Sequence, residues 1–191
     1  MGRRSAGAAL LVAGILAASC GSEPQSRAPR GPTIQPIPAE ALPGRAAQPK
    51  ELEAREVSTD AVDVDELEAF LESAGFVAGT ERRFSRTVGG RRMTLACILV
   101  FETVPGAQAY LGWLEDHVDD VIGNARPVDG LSVPDGTIVF VHQPNPCCHS
   151  ETRLVFVAWK DGDTVKTLEM GGQVVKTSVV PQLISSLERA V

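Results

Sequence analysis

From about residue 60 to its end, the chain shows two alternating spacings of apolar residues. Spacings of three and four residues predict three amphipathic helices, over 64–74, 106–122 and 180–190. Runs of alternating or continuous apolar residues predict five strands, over 82–88, 91–101, 137–143, 152–160 and 164–170. Gly89 and Gly90 separate the first two strands, and Asp161 and Gly162 separate the last two. Both pairs of residues are therefore expected to form tight hairpin turns.

The predicted elements follow the order αββαβββα. This order favours an α+β fold in which an antiparallel sheet of about five strands carries its helices on one face. Both faces of the second strand are apolar, with Leu95 and Cys97 on one face and Ala96 and Ile98 on the other. That strand is expected at the centre of the sheet, covered on both sides. The sequence predicts a single domain over residues 58–191.

Residues 20–57 differ from this domain in composition. Seven prolines fall within residues 21–57, and Gly, Ala, Ser and Gln make up much of the remainder. Proline removes amide donors and blocks helix formation, and large apolar side chains are scarce here. The sequence therefore predicts a disordered tether over residues 20–57.

The first 19 residues have the features of a signal peptide. Arg3 and Arg4 precede an apolar run over residues 8–19, which is shorter than the roughly 20 residues needed to span a bilayer. Small residues at 17–19 lead directly into Cys20. The alternative to the interpretation given next is an ordinary secretory signal peptide followed by a chance cysteine.

The sequence AASC at residues 17–20 resembles a bacterial lipobox. This resemblance to lipoprotein precursors implies that the chain is cut before Cys20, that the Cys20 thiol is acylated, and that the lipid anchors the protein in a membrane. A lipobox, a proline-rich tether and one small α+β domain together resemble many actinobacterial envelope lipoproteins. That second resemblance implies an extracytoplasmic location on the cell membrane, and it assigns no functional residues.

Charge and motifs exclude several classes of function. The net charge of −6 and the aromatic content of 5% argue against a nucleic-acid partner, which needs a basic face and stacking surfaces. The chain lacks the Gly-x-Ser-x-Gly, P-loop, His-Glu-x-x-His and dinucleotide-binding glycine motifs. The sequence therefore predicts a non-enzymatic protein without a cofactor.

Cysteine and histidine are the side chains with the most evident chemistry. If Cys20 is acylated, Cys97, Cys147 and Cys148 remain, and one disulfide can form among them in an oxidising compartment. Cys97 could pair with either loop cysteine, or Cys147 could pair with Cys148 in a strained ring. Thiolate and imidazole groups also bind zinc or copper, so the residues between 142 and 149 form a weak metal-site candidate. Its members are His142, Cys147, Cys148 and His149.

Five arginines crowd the first predicted hairpin: Arg82, Arg83, Arg86, Arg91 and Arg92. They could pair with the acidic side chains of the first helix, in surface ion pairs that each contribute little. They could also contact anionic lipid headgroups or an acidic wall polymer.

Two functions are compatible with these features. The first is a lipid-anchored envelope protein whose small domain acts as a non-enzymatic binding or sensor module for an envelope protein or a small apolar or anionic ligand. A concave, partly apolar cleft between sheet and helix is then expected. The alternative is a thiol-based redox or metal-handling lipoprotein that uses the Cys147–Cys148 loop, for which an exposed thiol of low pKa or a bound metal is expected.

Overall fold

A computed structural model describes residues 34–57, 63–86, 92–142, 153–172 and 175–191. In these residues the chain forms eight strands: β1 (Arg45–Ala46), β2 (Lys50–Leu52), β3 (Phe76–Arg86), β4 (Arg92–Phe101), β5 (Ala125–Pro127), β6 (Ile138–His142), β7 (Arg153–Asp161) and β8 (Thr164–Gly172). It also forms four α-helices: α1 (Val64–Ser73), α2 (Val104–Asp116), α3 (Val118–Ile122) and α4 (Val180–Ala190). Single 3-10 turns cover Ala54–Glu56 and Thr177–Val179.

All eight strands belong to one antiparallel sheet. The strand order is β1-β3-β4-β8-β7-β6-β5, and β2 pairs with β3 alongside β1. The α+β class is confirmed, and β4 lies inside the sheet, as its two apolar faces indicate. Each of the five predicted strands overlaps an observed one, although β3 begins at Phe76 and not at residue 82. The predicted size of about five strands is wrong, and so is the predicted order of elements. The three additional strands, β1, β2 and β5, have only two or three residues each, too few for an alternating pattern to be visible in the sequence.

The helices cover both faces of the sheet, so the predicted one-sided arrangement is wrong. One core contains side chains from α1, α2 and α3, packed on Leu99 and Phe156 of the sheet. The other contains α4, packed on Ala96, Val157 and Trp159. Because alternate residues of the central strands are apolar on both faces, a sheet with one bare face would expose them to water.

Residues 34–57, predicted as part of a disordered tether, are packed against the domain. Ile37 is fully buried and Leu42 and Leu52 are almost so. The Arg82 side chain donates from Nε to the carbonyl oxygen of Ala47 over 2.8 Å and from a terminal nitrogen to that of Ile37. The tether prediction is therefore wrong for residues 34–57, because a few well-placed apolar side chains and one arginine hold this stretch. We call residues 34–47 the strap.

Helix α4 is fixed to the sheet by a partly buried polar cluster. Glu188 accepts hydrogen bonds from the Trp159 indole nitrogen and from Nζ of Lys166, the latter over 3.1 Å. Lys166 is 5% exposed, and its second ion pair is with Asp161. Since an unpaired buried ammonium is costly, these contacts set the position of α4 on the sheet.

The helices begin and end close to where the sequence pattern predicts. Asp63 caps α1, because its side chain accepts hydrogen bonds from the backbone amides of Asp65 and Glu66. The helix predicted over 106–122 is divided into α2 and α3 at His117. His117 leaves helical conformation at φ −109° and ψ 14°, and its ring Nδ1 lies 2.8 Å from the carbonyl oxygen of Trp113.

Candidate functional site

A cleft lies between the sheet and α4, at the end of the sheet where β3 finishes and β4 begins. Its volume is about 170 Å³. The strap supplies one wall, the chain over residues 175–183 supplies another, and the sheet supplies the floor. The lining residues are Pro43, Phe84, Arg86, Arg92, Met93, Thr94, Met170, Val175, Val179, Gln182 and Leu183.

Polarity is divided within this cleft. The inner wall is apolar, since Phe84, Met170 and Val175 are each 5% exposed or less. The charged residues are at the sheet end, where Arg86 is exposed and Arg92 is half-buried. The cleft thus offers an apolar interior with two guanidinium groups at one end.

Arg86 and Arg92 stand directly opposite each other on β3 and β4. Like charges in that position repel each other. Within the described part of the chain, the ion pairs are formed by Lys50 and Lys166, and neither Arg86 nor Arg92 takes part in one. Nε of Arg92 is buried and has no hydrogen-bond partner among the described residues. A buried N–H donor without an acceptor costs free energy. The terminal nitrogens of a guanidinium group can still bind an anion in the cleft.

The structure separates the five arginines that the sequence groups together. Arg82 holds the strap through hydrogen bonds to backbone carbonyls. Arg83 is exposed on the opposite face of β3, beside Leu95. Arg86 and Arg92 line the cleft, and Arg91 lies outside the described residues. Only part of the predicted contact surface therefore forms one site.

Sequence reasoning did not identify the other walls of the cleft. Pro43 lies in the stretch predicted as tether, and Val175 to Leu183 are about 80 residues further along the chain than Arg92. The arginine cluster was the one visible signal. Its relation to α4 depends on tertiary packing, which no local spacing encodes.

A second cavity, of about 60 Å³, lies on the opposite face of the sheet under α2 and α3. Cys97 is half-buried and lines it together with Tyr110, Thr167, Glu81 and Glu169. Burial raises the pKa of the Cys97 thiol to about 12, and the nearby Glu81 carboxylate adds to the increase. Burial also raises the pKa of the Tyr110 phenol. At neutral pH the Cys97 thiol is protonated and weakly nucleophilic, so it lacks the low pKa that the redox alternative requires.

The remaining predicted cysteine and histidine sites are only partly described. Cys97 carries a free thiol, whereas its predicted partners Cys147 and Cys148 lie outside the described residues, as do His149 and Cys20. Nδ1 of His142 lies 2.7 Å from the carbonyl oxygen of Gly123, so one ring nitrogen already has a partner. Across the described ranges, no three His, Cys, Asp or Glu side chains are placed to hold a metal ion. The disulfide and the metal site stay predictions.

Comparison with known proteins gives a likeness to solved structures. No family model and no curated protein sequence matches the chain. The fold is similar to that of the extracellular domain of PknH from Mycobacterium tuberculosis, with a TM-score of 0.53 and 10% sequence identity. The match covers 76% of this chain and 84% of that domain. The likeness is one of fold. An extracellular domain thus shares this architecture, and in the described part of the chain no helix has the length and apolar character to cross a membrane.

Proposed function

We propose that this protein is a non-enzymatic, extracytoplasmic binding or sensor module, anchored to a membrane by a lipid on Cys20, which binds an anionic ligand in the cleft beside α4. The carrying observation is the pair Arg86 and Arg92, opposite each other at the end of an apolar cleft without a described carboxylate. Guanidinium groups bind carboxylates and phosphates through two parallel hydrogen bonds, and two of them can share one anion.

The chemistry of the cleft supports binding rather than catalysis. Among its described lining residues, Thr94 bears the sole hydroxyl group, and none is a His, Cys, Asp or Glu. A hydroxyl without an adjacent base is a weak nucleophile. Arginine stays protonated at neutral pH and does not transfer protons. The residues there can orient and neutralise an anion, and this matches a ligand-binding role.

The proposed location rests on two separate features. The lipobox-like residues 17–20 support acylation and anchoring at Cys20. The fold shared with an extracellular domain supports a position outside the cytoplasm.

Anchoring is tested with Cys20→Ala in the full chain, expressed in a lipoprotein-processing bacterium. We expect the unsubstituted protein to have an intact mass equal to residues 20–191 plus a lipid, and the variant to lose that lipid and stay uncleaved. Cys97→Ala is the matched control, and it should be acylated like the unsubstituted chain. A mature chain that begins elsewhere, or an acylated Cys20→Ala variant, would contradict the anchoring proposal.

Ligand binding is tested by calorimetric titration of the full chain in phosphatidylcholine nanodiscs, with ethyl phosphate as the probe. Arg92→Ala is expected to weaken binding by about tenfold or more, because hydrogen bonds to a charged group are each worth about 1.5–3 kcal/mol. Arg86→Ala should also weaken it, and raised salt should do so in the unsubstituted protein because Arg86 is exposed.

Arg83→Ala is the matched control for this titration. It removes the same charge from β3, the strand of Arg86, on the face away from the cleft. Its affinity for ethyl phosphate should stay within about twofold of the unsubstituted protein. Equal losses in Arg83→Ala and Arg92→Ala, or no binding of the probe, would overturn the proposed cleft site.

A further inference from the structure

We infer that the ligand of the cleft is a single-chain amphiphile, with a phosphate or carboxylate head on Arg86 and Arg92 and an alkyl chain inside the cleft. This inference rests on the proposed function and adds the chemical class of the ligand. Its basis is the separation of the cleft into a charged end and an apolar interior.

The interior suits an alkyl chain because its walls carry few groups that could bind a polar ligand. Phe84 is 1% exposed and Met170 is 3% exposed, and both belong to the buried core that continues beneath α4. Val175, Val179 and Leu183 close the opposite wall. Beyond the arginines, the polar lining side chains are Thr94 and the exposed Gln182. A sugar or nucleotide base buried against such walls would lose hydrogen bonds to water without replacement.

The volume of the cleft limits the length of the alkyl chain that can be buried in it. A water molecule occupies about 30 Å³ in the liquid, and a methylene group is of comparable size. A cleft of about 170 Å³ therefore accepts on the order of six methylene groups. An inorganic anion would leave this space to water, and two alkyl chains of that length would need twice the volume. A longer single chain would leave through the open side.

The polarity gradient sets the orientation of the amphiphile. Arg86 and Arg92 lie at the end of the sheet, whereas the other side of the cleft is formed by Leu183 of α4 and by Met170 of β8, which is 3% exposed. The head therefore binds at the edge of the domain and the chain points inward. In this position the anion binds the guanidinium groups of Arg86 and Arg92, while the alkyl chain displaces water from apolar walls.

A series of alkyl phosphates of increasing length tests the inference. They are titrated into the full-length protein in phosphatidylcholine nanodiscs, with empty nanodiscs titrated in parallel. The probes are inorganic phosphate and ethyl, butyl, hexyl and octyl phosphate. Each methylene group should raise affinity by about fourfold, from the free energy of burying one CH₂, until the chain reaches about six carbons. Octyl phosphate should then bind about as tightly as hexyl phosphate. Hexanoate should show the same dependence on Arg92 as hexyl phosphate.

A variant that fills the cleft tests whether the alkyl chain of the probe lies inside it. Leu183→Trp places a larger side chain in the apolar part of the cleft, where Leu183 is half-buried. The affinity for hexyl phosphate should fall relative to that for ethyl phosphate, so that the increase with length stops at a shorter alkyl chain. Far-ultraviolet circular dichroism confirms that the variant is folded, and Ser185→Trp, at an exposed position of the same helix outside the cleft lining, should keep the original series.

The outcomes separate this inference from the proposed function. Affinity that depends on Arg92 but is equal for all chain lengths would overturn the amphiphile and leave the anion site. Failure of every probe to bind would overturn both. Nanodiscs containing a single-chain lysophosphatidic acid distinguish the source of the ligand: competition with hexyl phosphate assigns the site to a membrane lipid, and its absence assigns it to a soluble amphiphile.

Discussion

A chain that begins at residue 58 is expected to fail to fold stably, although the sequence pattern places the domain boundary there. Truncation removes β1, β2 and five buried apolar residues, namely Ile37, Ala41, Leu42, Leu52 and Val57. Burial of a large aliphatic side chain is worth about 1.5–3 kcal/mol, so the four larger ones contribute about 6 kcal/mol or more. A domain of this size has a total stability of about 5–15 kcal/mol. The truncation therefore removes much or all of it.

The effect reaches residues that remain in the shortened chain. Without the strap, Arg82 loses the carbonyl oxygens of Ile37 and Ala47 as acceptors. Phe84, which is 1% exposed and belongs to the same core as Ile37 and Leu42, becomes accessible to water. The outer edge of β3 is also left unpaired, and unpaired edges promote aggregation.

Urea unfolding followed by circular dichroism measures this effect. Chains beginning at residues 34 and 58 are compared with the full chain. The chain from residue 34 should keep a cooperative transition, and the chain from residue 58 should show none or a much lower midpoint. Within the full chain, Ile37→Ala should cost about 2–5 kcal/mol and Glu40→Ala, exposed in the same strap, almost nothing. Equal midpoints for the two shortened chains would show that the strap does not belong to the domain.

Gly106→Ala is expected to destabilise the protein by about 3 kcal/mol. Gly106 lies in the first turn of α2, where it meets the end of α1. A Cβ atom added there would stand 2.1 Å from the carbonyl oxygen of Ala74, far closer than van der Waals contact allows. Relief requires the two helices to separate, and overpacking of this kind costs about 1–3 kcal/mol, occasionally more.

Gly112→Ala is the matched control in the same helix. A Cβ atom there meets nothing within 4 Å, and alanine is the better helix former by about 1 kcal/mol. Chemical unfolding should therefore show opposite changes, with a lower midpoint for Gly106→Ala and a slightly higher one for Gly112→Ala. A shift in the same direction for both would mean that helix propensity, rather than contact with Ala74, determines the result.

Most regular elements could be predicted from the sequence because their signals are local. The alternation in β4, the cap at Asp63 and the turn at Asp161 and Gly162 depend on residues close together in the chain. The two apolar faces of β4 also indicate that helices cover both sides of the sheet. This pattern is stronger evidence about the placement of the helices than the order of elements, which favoured one face. The arrangement of α4 opposite α1 follows from that pattern once both faces are weighed together.

The strap could not be predicted because composition and packing conflict there. Prolines fill the stretch, and Ile37, Leu42 and Leu52 occur at no helical or strand period. Ile37 and Leu42 of the strap are buried in the core that contains Phe84 and α4, and Leu52, which follows the strap, is buried in the core on the other face. The residues that bury them are further along the chain. A few buried apolar residues hardly change the average composition of the stretch, so composition alone predicts disorder there. Each of these residues is nevertheless held by contacts with residues distant in sequence.

The candidate site could be predicted only in part, because it too depends on packing between segments that are distant in sequence. The arginine cluster is evident in the sequence, but its five members have different surroundings once β3 and β4 pair. Strand alternation already separates Arg83 from Arg82 and Arg86. The use of Arg82 for the strap, and the closure of the cleft by α4, depend on contacts between segments that are distant in sequence.

The most direct test of the central claim is hydrogen exchange, measured by mass spectrometry on the full chain in phosphatidylcholine nanodiscs, with and without hexyl phosphate. Slower exchange is expected in the segments that line the cleft, at residues 84–86, 92–94 and 179–183, and this protection should be lost in Arg92→Ala. Protection at the Cys97 cavity instead, or no change in the cleft segments at saturating hexyl phosphate, would contradict a ligand site beside α4.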